Sequence, residues 1–118
     1  MKKTKMLKKN YEFRYVLSKG KYYSGKNIEA FIIENNKNYN CLGLAISTKI
    51  AKAVKRNMIK RLLRENYKKQ EPRLKKGISM VFLWKKKIDI RQANYKNIEE
   101  DMNNIFNNAK IYKKEEII

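Results

Sequence analysis

Apolar residues recur along this chain with two periods, and the switches between the periods mark out seven elements. Phe13, Val16 and Leu17 stand at i, i+3 and i+4, which predicts a short amphipathic helix. Asn10 is expected to cap its start and Gly20 to stop it. Tyr22 and Tyr23, then residues 28–34 and 41–47, read as strands. In the second, Ile28, Ala30 and Ile32 share one face, and Glu29, Phe31 and Ile33 the other. In the third, Leu42, Leu44 and Ile46 oppose a face of small residues, Gly43, Ala45 and Ser47. That face admits a close neighbour, either a packed helix or a nucleic-acid strand. The polar run 35–38 predicts a hairpin loop between these two strands. Helical period returns over 49–69. The continuous apolar run 78–84 predicts a strand buried on both faces at the sheet centre, ended by Lys85, Lys86 and Lys87. Ile98, Met102, Ile105, Ala109 and Tyr112 predict a last helix over 95–112.

The order is therefore α-β-β-β-α-β-α. It predicts one α+β domain over 1–118, with helices packed on a mostly antiparallel sheet. Residues 1–8 are expected to form an unordered basic arm. Glu99, Glu100 and Asp101 fall early in the last helix, where they read as partners of the helix dipole and not as metal ligands.

The segment 49–69 organises the rest. On a wheel of about 100° per residue, Val54, Met58, Leu62, Ile59, Leu63 and Tyr67 spread over one broad side. Asn57, Lys60, Arg61, Arg64 and Lys68 fall together on the other. The segment carries Lys49, Lys52, Lys55, Arg56, Lys60, Arg61, Arg64, Lys68 and Lys69 against a single acid, Glu65. A face this one-sided is built to meet an anion.

Composition strengthens that reading. The net charge is +19 over 118 residues, which attracts a polyanion, nucleic acid first among them. Lysine dominates the 30 cations and has AT-rich codons, so arginine is the cleaner signal. Three of the arginines, Arg56, Arg61 and Arg64, sit in 49–69, and the guanidinium fork matches phosphate geometry. Cys41 stands alone and there is no histidine, which removes the commonest general base and zinc ligand. Cys41 is expected to be a small buried strand residue. No signal peptide or membrane span is expected, and the chain reads as cytoplasmic. No nucleophile–base pair, phosphate loop or convergent carboxylate set stands out. Backbone-phosphate binding beside strands carrying Tyr22, Tyr23 and Phe31 does, and such rings stack on unpaired bases. Phe13 and Leu17 are open to two readings, core packing or the wall of a groove.

The stretch AISTKIAKAVKRNMIKRLLRENY resembles the signature of the bacterial ribonuclease P protein subunit. Lys49, Ala53, Val54, Arg56, Asn57, Ile59, Lys60, Arg61 and Arg64 match it. The opening LKKNYEFRYVLSKG is similar to the family's first helix, and Gly43 and Leu44 to its Gly-Leu strand start. Met58 stands where the family has the second arginine of an Arg-Asn-Arg core, Thr48 where a second lysine is common, and Ala51 where glycine is. The resemblance implies a fold like the second domain of ribosomal protein S5, with a left-handed crossover where general rules give a right-handed one. It implies a catalytic RNA subunit that binds Mg²⁺ and removes the 5′ leader from precursor tRNA, while the protein does no chemistry of its own. The RNA-binding set it implies is Lys49, Lys52, Arg56, Asn57, Lys60, Arg61, Arg64 and Lys68. Phe13, Leu17 and Phe31 are implied to line a cleft for the single-stranded leader. Two other classes stay open, a ribosomal or other structural RNA-binding protein and a metal-dependent nuclease.

Overall fold

The run Ile78–Trp84 forms the strand β5, and the rest of the sheet is arranged about it. The computed structural model describes residues 3–114. Within them the strands are β1 (Thr4–Met6), β2 (Lys21–Ser24), β3 (Ile28–Glu34), β4 (Asn40–Leu44) and β5, in the spatial order β1-β4-β5-β3-β2. Helices α1 (Asn10–Lys19), α2 (Ala53–Gln70) and α3 (Tyr95–Ala109) complete the fold, and a single 3-10 turn, Glu71–Arg73, follows α2. Apart from Leu83, every residue of β5 is buried, as its unbroken apolar run requires.

Side-chain alternation divides the sheet into two faces. Ile28, Ala30 and Ile32 join Leu42, Leu44, Met80, Phe82 and Trp84 on one face. There they pack with Ile59, Leu63 and Tyr67 of α2 and Ile98, Met102, Ile105 and Phe106 of α3. The other face carries the cross-strand row Gly43–Val81–Phe31–Tyr22, and α1 packs on it across β3 and β5. Val16 is the one buried residue of α1. Gly43 explains how close the helix comes. A Cβ there would lie 2.7 Å from Phe13 Cε1 and 3.0 Å from both Leu7 Cδ1 and Val81 Cγ2. At Gly43 the small-residue face thus serves helix packing, while Ala45 and Ser47 lie beyond the end of β4. Gly43→Ala is expected to displace Phe13 and to destabilise the fold by about 1–3 kcal/mol, the usual penalty of overpacking; urea denaturation measures it.

Four expectations are corrected. The sheet is mixed, because β1–β4 and β4–β5 are parallel pairs while β3 pairs antiparallel with β2 and β5. Residues 35–38 do not close a hairpin. β3 and β4 lie on either side of β5, and the connection passes over its start, where Asn35 N–H donates to Gly77 O at 2.8 Å. The segment read as an unordered arm contains β1, while residues 1 and 2 lie outside the described range. The free edge of β4 offers backbone groups that Asn40 N–H to Lys3 O (2.9 Å) and Leu7 N–H to Leu42 O (2.8 Å) satisfy. The Thr4 hydroxyl donates to the Glu71 carboxylate and accepts from the Tyr67 phenol at 2.6 Å, so the strand is tied to the end of α2.

Asp101 supplies the fourth correction. It is 2% exposed and does not face the solvent near the helix dipole. Its Oδ2 accepts from Asn27 N–H at 2.7 Å and Ile28 N–H at 3.2 Å, and its Oδ1 from Lys26 N–H at 3.1 Å. This carboxylate therefore pins the β2–β3 turn to α3. At the boundaries, α1 starts at Asn10 with Lys9 in the cap position, and Gly20 ends it as predicted. No helix among the described residues is long and apolar enough to cross a membrane.

Candidate nucleic-acid interface

The outer face of α2 is set by what its inner face buries. Ile59, Leu63, Asn66, Tyr67 and Gln70 are the buried residues of the helix. The two polar ones are satisfied. Asn66 Nδ2 donates to Leu62 O at 3.0 Å and Tyr95 O at 3.3 Å, while Gln70 bonds Asn103 and accepts from the Tyr112 phenol at 3.1 Å. The buried arc therefore lies further round the helix than the wheel of apolar residues placed it. Val54, grouped with the apolar side, is 80% exposed and stands among the basic residues. It lies in the first turn, before α2 reaches the core.

The basic band itself is where the sequence put it. Asn57, Arg61, Arg64 and Lys68 are exposed and Lys60 is half-buried. Arg61, Arg64, Glu65 and Lys68 surround a shallow hollow of about 280 Å³. Glu65 lies 3.8 Å from Arg61 Nε in a solvated pair, too weak to neutralise the band. The helix itself is shorter than expected at its start, because residues 49–51 form a turn and Lys52 sits at the cap position without capping through its side chain. Lys49 and Lys52, both exposed, thus belong to the turn at the end of β4. Arg56 is half-buried and its Nη1 donates to Ala51 O at 2.7 Å. It braces that turn against the helix, so part of its hydrogen-bonding capacity is used internally.

The second surface lies on the α1 face of the sheet. Phe13, Leu17 and Phe31 are all half-buried. Phe13 and Leu17 are one turn apart on α1, and Phe31 sits in the same cross-strand row as Gly43, over which Phe13 packs. The three predicted cleft residues are thus on one face. The register adds Tyr22, which the cleft expectation omitted. Its ring centroid is 5.3 Å from that of Phe31, and it is 48% exposed. Its phenol donates to Glu29 Oε2 at 2.6 Å, and that bond raises its pKa by holding the proton. Tyr22 stood out in the sequence as a candidate for base stacking, but only the pairing of β2 with β3 sets it beside Phe31.

A model of the protein family Ribonuclease P matches residues 1–110. The chain belongs to the ribonuclease P protein family. The ribonuclease P protein component of Clostridium botulinum (strain Langeland) is 39% identical over 113 residues, covering 95% of this chain and 99% of that protein. That of Natranaerobius thermophilus is 42% identical over 77 residues, 65% of this chain and 67% of that protein. The fold is that of the RNase P protein of Staphylococcus aureus, with a TM-score of 0.79 at 23% identity over 92% of this chain and 97% of the other. The RNase P protein of Thermotoga maritima gives 0.75 at 24% identity, over 85% and 93%. In this member of the ribonuclease P protein family the basic α2 band and the α1 cleft lie on opposite sides of the sheet. The turn 47–52, with Lys49 and Lys52, joins the end of β4 to α2.

Proposed function

We propose that this chain acts as the RNA-docking and leader-holding subunit of ribonuclease P. Its α2 band, with Arg56, Asn57, Lys60, Arg61, Arg64 and Lys68, meets the catalytic RNA, and Lys49 and Lys52 contact RNA at the sheet's end. Phe13, Leu17 and Phe31, with Tyr22, hold the single-stranded 5′ leader of precursor tRNA, and the assembly works in the cytoplasm. The observation that carries the reading is the separation of two surfaces on one small domain, a one-signed helix face for phosphates and a half-buried aromatic cleft for bases.

Magnesium is assigned to the RNA. Among the described residues no three histidine, cysteine, aspartate or glutamate side chains come together to hold a metal. The buried carboxylate of Asp101 is already committed to three amides.

The test is reconstitution with a ribonuclease P RNA and precursor tRNA at low Mg²⁺. The expected result is faster 5′ processing when the protein is added; no gain would defeat the reading. In the same assay Phe13→Ala is expected to weaken binding of leader-bearing substrate by at least roughly fivefold, the lower end of the range for one stacked base. It should leave mature tRNA nearly unaffected. Equal loss with both RNAs would make Phe13 a core residue only.

A further inference from the structure

The flank of α1 turned away from Phe13 and Leu17 borders a second groove. It has a volume of about 520 Å³ and lies between the helix and the connection from β3 to β4. Its floor holds Cys41 and Ser79, which belong to the cross-strand row Cys41–Ser79–Ile33. The leader cleft instead lies over the row through Gly43, Val81 and Phe31. Val16, the buried residue of α1, also lines this second groove.

Tyr11 and Tyr15 stand one turn apart on this flank, 62% and 55% exposed. They are the two most exposed aromatic side chains of the described residues. Core packing does not account for them, since neither ring is buried. One cation stands by Tyr11, and two others by Tyr39. Lys9 Nζ is 5.8 Å from the centroid of the Tyr11 ring. Lys37, on the opposite wall, lies 5.4 Å from the ring of Tyr39, and Lys5 approaches the same ring at 4.4 Å.

The wall also contains two acids, and their placement matters. Glu12 is turned back onto its own helix. Its Oε1 accepts from Lys9 N–H at 2.9 Å and Lys8 N–H at 3.3 Å, and these bonds hold its carboxyl below the usual range. Glu34 lies at the far end of the groove, where Lys37, Lys75 and Lys76 share its surroundings. Lys37 is the one cation among the described residues lining the groove. Lys5, Lys8 and Lys9 adjoin it beside Glu12, and Lys75 and Lys76 beside Glu34, so the cations around it outnumber the two acids. Tyr11 and Tyr15 offer it open aromatic faces.

We propose that this groove binds a second stretch of unpaired RNA, with bases stacked on Tyr11 and Tyr15 and phosphates held by Lys9 and Lys37. Open rings select unpaired bases, because a duplex keeps its base faces stacked inside. Lysines at the rim supply the backbone attraction without reading sequence. The site depends on neither the α2 band nor the leader cleft.

The test uses the full chain and an eight-nucleotide oligouridylate carrying 5-iodouridine. Ultraviolet crosslinking followed by peptide mass mapping is expected to mark Tyr11 and Tyr15. Affinity is then measured in a chain already carrying Arg61→Ala and Arg64→Ala, so that the α2 band does not mask the groove. There Tyr11→Ala/Tyr15→Ala is expected to weaken binding at least about thirtyfold with the salt slope unchanged. Lys37→Ala should lower the slope by about one unit. Both tyrosines are exposed, so circular dichroism should show the fold intact. Unchanged affinity with no crosslink at either tyrosine overturns the proposal. Crosslinks confined to the Phe13–Phe31 cleft would overturn it while leaving the leader reading in place.

Discussion

Replacing Asp101 with alanine is expected to cost the fold about 4 kcal/mol. The carboxylate accepts three backbone N–H bonds from the β2–β3 turn, and those of Asn27 and Ile28 are buried. Alanine removes the acceptor and leaves these donors away from water, at roughly 1–3 kcal/mol each. Against a total stability of about 6–18 kcal/mol for a chain this long, that is a large fraction. The melting temperature should fall by roughly 15 °C. Asp101→Asn keeps one acceptor oxygen but turns an amide N–H₂ toward the turn, so an intermediate loss is expected. Thermal and urea denaturation of the two variants decide it. A loss below about 1 kcal/mol for alanine would mean that water or a shifted turn replaces the carboxylate.

The second large effect concerns the proposed docking of α2 and leaves stability alone. Arg61 and Arg64 are exposed, and the only ion pair of Arg61 among the described residues is the solvated one with Glu65. The double variant Arg61→Ala/Arg64→Ala should therefore melt within a few degrees of the parent, since such surface changes stay within about 0.5 kcal/mol. Binding to ribonuclease P RNA is expected to fall about a hundredfold, at roughly 1.5 kcal/mol for each charge-assisted hydrogen bond to phosphate that alanine cannot make. The slope of log affinity against log salt should drop by about two units. Titrations across a salt series read both quantities. An unchanged slope would remove these arginines from the binding surface.

The parts of this fold that periodicity specifies were legible in the sequence. The alternation in β3, the unbroken apolar run of β5 and the i, i+3, i+4 spacing of α1 each have one physical solution. The basic band of α2 was equally visible, because charge reports exposure directly. Where polar residues are buried, the pattern misleads. Asn66 and Gln70 belong to the core side of α2 because partners on α3 and the segment after it satisfy them. Those partners are far away in sequence. Val54 misleads in the opposite sense, since an apolar residue in a first turn has no core within reach.

Pairing was the other blind spot. A polar run between two strands signals a tight turn, yet β5 comes between β3 and β4 to bury both of its own faces. The short segment Thr4–Met6, set among lysines, carries no strand pattern, and the edge of β4 alone makes it one. At the candidate site the residue types were readable and their grouping was not. Phe13, Leu17 and Phe31 were found through a family resemblance. The place of Tyr22 beside Phe31, and of Tyr11 and Tyr15 beside a groove, depends on register and on the direction in which α1 crosses the sheet.

The central position of β5 also fixes the order in which the chain can complete itself during synthesis. Every strand except β5 lies in the first 44 residues. Those four form two separate ladders, β2 with β3 and β1 with β4. No backbone hydrogen bond between strands joins one ladder to the other until residues 78–84 have been made. The last strand out of the ribosome is thus the keystone of the sheet, and a nascent chain stopped before it carries both halves of the site on pieces that nothing yet aligns.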